Sequence, residues 1–264
     1  MNMIKRELKS NFKSMIIWSL SVSLLVLVWM IEYESFAGNP AINDLMDSLP
    51  QELLALMGFG DFSLSTLGGF VGTISLYLYL LLGIHAALLG SSIISKEERD
   101  RTAEFLFSLP ISRIKIMLGK ISAAVIVSAI INLFVFLSMV LSTLKYEKDE
   151  NFYGFIAFMF LGVFIVQLIF LSMGMLLASL NRNYKKSGNM AVTMVMITFL
   201  ISSLIDMVKG LDFLKYLTPF KYFNATDILE KLSLDPIFIV ISIMIIVTGV
   251  AGSIIIYPKR DLNI

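Results

Sequence analysis

Chemistry needs polar groups held at fixed spacing, and this sequence supplies few. His85 is its only histidine and there is no cysteine. A lone imidazole without thiolates or clustered carboxylates lacks the ligand set of a zinc site, so no metal centre is expected. Neither Gly-x-Ser-x-Gly nor His-Glu-x-x-His occurs, which leaves no hydrolase elbow and no zinc-protease helix. Gly119-Lys120 is followed by Ile121 and has no glycine at the required distance before it, so it is not a phosphate-binding loop. Asn132 and Gln167 are isolated amides within apolar runs. Together with His85 they have two readings: hydrogen bonds between neighbouring helices, or groups lining a translocation path. The dense charge lies elsewhere, in Lys96-Glu97-Glu98-Arg99-Asp100-Arg101, which continues through Thr102, Glu104, Phe105, Leu106, Leu109 and Pro110 to Arg113.

The stretches around that island contain no charge at all. Residues 62–95 and 121–144 carry no Asp, Glu, Lys or Arg, and further uncharged windows cover 14–31, 151–181, 187–205 and 236–258. Each is long enough for the roughly 18 apolar residues that cross hydrocarbon. The chain of 264 residues is 57% hydrophobic and 16% charged, with a mean hydropathy of +0.84, against about 25% charged residues in soluble domains. The fold class is therefore all-α, a polytopic membrane protein of six transmembrane helices forming one domain over 1–264. The expected spans are about 14–33, 66–95, 118–144, 152–181, 187–207 and 236–257. The window at 62–95 reads as one span with a lead-in, where Gly68, Gly69 and Gly72 would suit a bent entrance. Gly83, Ala86, Ala87, Gly90 and Ser91 are small residues at helical spacing, which permits close helix approach, either within the chain or between two copies.

Lysine and arginine set the orientation. Fifteen fall in the N-terminal tail, the 96–120 segment, the 181–188 loop and the C-terminal tail, against six in the remaining loops. By the positive-inside rule both termini and the charged island face the cytoplasm. The first outer loop, 32–61, has no Lys or Arg but six acidic residues. Ser35-Phe36-Ala37 has the small-x-small form of a signal-peptidase site, an alternative that the acidic Glu32 and Glu34 oppose. Residues 1–13 place Met3, Ile4, Leu8 and Phe12 among lysines, as an amphipathic interfacial helix or a charged anchor tail. Residues 41–57 suggest a short amphipathic helix, and the aromatic-rich 209–235 an interfacial segment or a cap on the bundle.

Read as a helix from 96 to 109, the island pairs Glu97 with Arg101 at i,i+4. Thr102, Phe105, Leu106 and Leu109 then share one face. Pro110 stops the helix, and Ser112 is placed to cap the next one. The segment is either a coupling element or an ordinary solvated loop.

The run Glu97, Thr102, Glu104, Leu106, Ser108-Leu109-Pro110, Ser112-Arg113 and Gly119-Lys120 resembles the signature of permease subunits of type-2 ABC transporters. Arg101 stands where that family often has glycine. Leu217-Thr218-Pro219-Phe220 is similar to the family's Pro-Phe outer segment, and the end of the fourth span before Ser187 is also alike. The resemblance implies a transmembrane subunit, itself no enzyme, that binds no cofactor; ATP and Mg²⁺ would reside on partner subunits. It implies two cytoplasmic ATPase subunits, a second permease copy, a bacterial plasma membrane and export of a hydrophobic or amphipathic peptide, antibiotic or lipid. It also makes 96–109 a coupling helix, with Phe105, Leu106 and Leu109 as ATPase contacts and Glu97, Glu98, Arg101 and Glu104 setting registry.

Two other functions stand beside this one. An autonomous transporter or channel would need charge at mid-span, and an intramembrane enzyme a nucleophile–base pair; neither is visible. Scattered basic residues give nucleic acid no patch to bind.

Overall fold

The computed structural model describes residues 3–37, 39–50, 53–54, 63–102, 112–181, 183–208 and 210–257, apart from the side chains at 40, 43, 44 and 47. Eight α-helices are described: α1 (Met3–Phe36), α2 (Pro40–Ser48), α3 (Leu67–Arg99), α4 (Arg113–Thr143), α5 (Phe152–Leu180), α6 (Tyr184–Met207), α7 (Ala225–Lys231) and α8 (Pro236–Ile256). Six of them, all but α2 and α7, are long and apolar enough to span a membrane. At about 1.5 Å per residue the longest four exceed the ~30 Å of hydrocarbon and project beyond it.

The helix starts follow from local chemistry. Thr66 caps α3 by accepting from the Gly69 N–H, Asn183 caps α6 at Lys185 and Lys186, and Asp235 caps α8 ahead of Pro236. Each side-chain oxygen satisfies an amide that the helix leaves open. Asn39 caps α2 in the same way; α2 ends at Ser48, so the expected 41–57 helix is interrupted at 49–50, and its residues 51, 52 and 55–57 lie outside the described residues. Gly68, Gly69 and Gly72 belong to the first turns of α3. Gly69 is required there because a Cβ would come 2.2 Å from the Ser63 carbonyl oxygen.

The helices sort into two packs. α3 and α5 make the most extensive contact, with α6 against α3 and α8 against α5; α1 packs chiefly on α4. Within the first pack the small residues of α3 meet α5 inside one chain. A Cβ on Gly90 would lie 2.1 Å from the Leu171 carbonyl oxygen, and one on Gly174 would lie 2.3 Å from that of Ala87. Such reciprocal backbone approach is what small residues allow where lipid supplies no hydrophobic drive between helices. α8 shows the same inverted logic. It turns Ser242, Gly249 and Ser253 inward and Ile237, Val240, Ile243, Met244 and Val247 outward.

The segment after α6 caps one end of the bundle, one of its two expected roles. Phe220 wedges between Phe170 and Phe199, with ring centroids 5.5 Å from each. Tyr222 stacks on Phe238 at 5.0 Å, and the Tyr79 hydroxyl donates to the Phe223 carbonyl at 3.0 Å. Lys221 pairs with Asp206, and the Thr218 hydroxyl donates to the Thr198 carbonyl at 2.8 Å.

Two expected boundaries need correction. Residues 3–13 are not a separate element, because α1 runs unbroken from Met3 to Phe36. A helix from 96 to 109 does not form either, since α3 ends at Arg99. Of the foreseen coupling helix, residues 103–111, including Glu104, Phe105, Leu106, Leu109 and Pro110, lie outside the described residues.

Candidate functional site

The site of interest is the end of the bundle where α3 stops, α4 starts and α1 begins. α3 closes with its Asp100, Arg101 and Thr102 backbone folded back. The Thr102 N–H donates to the Glu97 carbonyl at 2.9 Å and the Arg101 N–H to that of Glu98 at 3.4 Å. Arg101 has φ of +54°. These bonds and the left-handed residue make a Schellman stop. The residue standing at the family's glycine position thus adopts the conformation that glycine takes without strain. Arg101→Gly should therefore stabilise the chain by up to about 1 kcal/mol, with isoleucine there destabilising it, as read by thermal unfolding in detergent.

Across the undescribed stretch, Ser112 caps α4, its hydroxyl accepting from the Lys115 N–H at 3.3 Å. Both ends of the segment are thus fixed by helix terminators, and Arg101, Thr102, Ser112 and Arg113 are exposed. Arg99 grips Asp100 at 2.9 Å, and its guanidinium holds the Asp100 carboxyl below the ordinary value.

Between α1, the end of α3 and the start of α4 lies buried charge. Lys120 extends from α4 to Glu97 on α3 at 2.5 Å, both side chains fully buried, and also donates to the Ile93 carbonyl. Glu97 is therefore not paired with Arg101 on a helix surface. Next to it Lys96 bonds Glu7 of α1 at 3.2 Å, the carboxylate fully buried and the lysine partly so. Glu7 Oε1, Glu97 Oε1 and Arg6 Nη1 are buried without a hydrogen-bond partner among the described residues. Gly119, beside Lys120, lets α1 close in: a Cβ there would be 2.9 Å from the Met3 Cβ. Gly119-Lys120 is thus a packing and ion-pairing dipeptide. A sequence signal for the cluster exists in retrospect. Glu7 is the one acid in the basic 1–13 tail, and Lys120 borders an uncharged window.

The polar residues deeper in the bundle separate into two places. Asn132 donates to Gln167 at 3.2 Å, joining α4 to α5, so the hydrogen-bonding reading of both is realised. Asn132 also edges a shallow groove of about 330 Å³ on the α4–α5 face, otherwise lined by apolar residues such as Leu133, Phe136, Phe160 and Leu161. His85 is remote from that pair in its contacts: it is buried on α3 with its ring centroid 5.0 Å from that of Trp18 on α1. Among the described residues no three His, Asp or Glu side chains gather closely enough to hold a metal.

No curated protein matches the sequence. A family model does, that of the ABC-2 family transporter protein, over residues 1–262. With six membrane-spanning helices and a match along nearly its whole length, the chain belongs to the ABC-2 transporter family: it is a multi-pass permease component of an ABC transporter, not itself the ATPase, and it partners with ATP-binding subunits.

Proposed function

We propose that this permease exports a hydrophobic or amphipathic substrate (a peptide, antibiotic or lipid) across a bacterial plasma membrane. Two copies pair with two ATPase subunits, and the basic end of the bundle faces the cytoplasm. The observation that carries this reading is the 100–112 connection. It holds the signature residues between two helix terminators, and a base of buried charge joins α1, α3 and α4 at that end of the bundle. A solvated spacer has no use for such a base, whereas an element that must pass force inward does.

Within this proposal Thr102, Glu104, Phe105, Leu106, Leu109, Pro110 and Arg113 meet the ATPase, with Glu98 and Arg101 at the rim. Glu97, fully buried against Lys120, takes a positioning role instead. The absence of charge from the six long windows and the mostly apolar lining of the α4–α5 groove support an apolar cargo. Leu106→Asp should leave insertion intact and remove the stimulation of ATP turnover by a candidate hydrophobic peptide in vesicles holding permease and ATPase. Unchanged stimulation, or a chain that exports the peptide with no ATPase bound, would overturn the reading.

A further inference from the structure

The two helix packs differ in how they are held together and how they meet. Inside the α3–α5–α6–α8 pack, glycines bring the backbones of α3 and α5, and of α5 and α8, together at distances where no Cβ fits, so those helices have little room to slide. Between that pack and the α1–α4 pack the contacts are of another kind. The buried ion pairs Glu7–Lys96 and Glu97–Lys120 join α1 to α3 and α3 to α4. The amide pair Asn132–Gln167 joins α4 to α5. Ring contacts Trp18–His85, Trp29–Tyr77 and Tyr33–Phe70 join α1 to α3. The boundary is a polar and aromatic seam running the length of the bundle.

The same boundary is spanned by one further feature. Residues 100–112 connect α3 to α4, and so connect one pack to the other. Buried polar groups that serve stability alone are normally fully satisfied, yet here three atoms of the seam's charged end have no partner among the described residues. A network with unused acceptors has alternative pairings available to it.

We infer that this seam is a slip plane, along which the α1–α4 pack shears against the α3–α5 pack. The two buried ion pairs and the Asn132–Gln167 pair act as positioning residues that set the resting register. Shear of packed helices is an established route for such transitions. The inference rests on the transporter reading for what drives the shear, but not for the existence of the seam.

The absence of cysteine makes the test direct. Spin labels go on exposed positions in two pairs, Ser10→Cys with Lys115→Cys inside the α1–α4 pack, and Lys115→Cys with Asn189→Cys across the seam. An excess of unlabelled chain restricts the reading to distances within one molecule. Trapping the complex with ATP and vanadate should shift the across-seam distance and leave the within-pack one in place. Lys120→Met, without nucleotide, should broaden the across-seam distribution and not the within-pack one. If that variant fails to insert, Asn132→Leu with Gln167→Met carries the same arm at the middle of the seam. Equal responses from the two label pairs, or an across-seam distribution indifferent to the substitutions, would refute the slip plane. A chain that purifies with no ATPase sinks the transporter reading alone, because the nucleotide-free arm still decides the seam.

Discussion

Valine in place of Gly174 is expected to remove most folded protein from the membrane. A Cβ at Gly174 would stand 2.3 Å from the Ala87 carbonyl oxygen and 3.1 Å from its carbon. Those are backbone atoms, so no rotamer change makes room; α3 and α5 must part. Overpacking in a well-packed core costs about 1–3 kcal/mol where side chains can yield, and here the obstacle is main chain, so the upper part of that range or beyond is expected. The helix–helix interface forced open is the most extensive among the described helices, between the two most buried spans. Gly90→Val should act alike, since its obstacle is the Leu171 carbonyl at 2.1 Å. Gly188→Ala is the matched control: nothing lies within 4 Å of its Cβ position, and it sits in the first turns of α6. It should stabilise by about 0.5–1 kcal/mol through helix propensity. Membrane yield and thermal unfolding in detergent read all three, and a Gly174→Val chain with normal yield and melting would show that the helices are not so closely apposed.

That contrast also shows what the sequence could and could not convey. The six uncharged windows are read correctly because crossing hydrocarbon demands uninterrupted apolar length, a local property. The small residues at 83–91 announce a close contact but not its partner, because glycine on one helix says nothing about which backbone approaches it. Ser112 was legible as a cap for the same local reason that Thr66 and Asp235 are. The end of α3 was not. Helix propensity and the Glu97–Arg101 spacing favour continuation, and only the folded-back Thr102 amide and the left-handed Arg101 reveal the stop. The site was least legible where its partners are far apart in sequence. Glu97 and Lys120 are 23 residues apart, and Glu7 and Lys96 are 89 apart. In a count of loop charges Lys120 serves orientation; in the fold it is buried about 10 Å along α4 from Arg113.

The Glu97–Lys120 pair permits a prediction that separates stability from function. Lys120→Met removes one partner and leaves the Glu97 carboxylate buried with neither oxygen bonded by a side chain. Breaking a buried pair from one side costs about 3–5 kcal/mol, enough to lower yield and melting temperature sharply. Replacing both residues, Glu97→Leu with Lys120→Met, deletes the charges together. Removal of the desolvation cost then offsets the missing attraction, and such exchanges are often neutral or stabilising by about 1–4 kcal/mol. The double variant should therefore insert and melt like the parent or above it. Its function should nevertheless fail, since an apolar contact of similar volume fixes no register between α3 and α4 and offers the seam no alternative partners. The expected result is a complex with normal subunit content and basal ATP turnover but no stimulation by transported peptide. A double variant that melts as the single one does would mean that the site tolerates no apolar filling. One that transports normally would mean that the pair holds the bundle together and does nothing more.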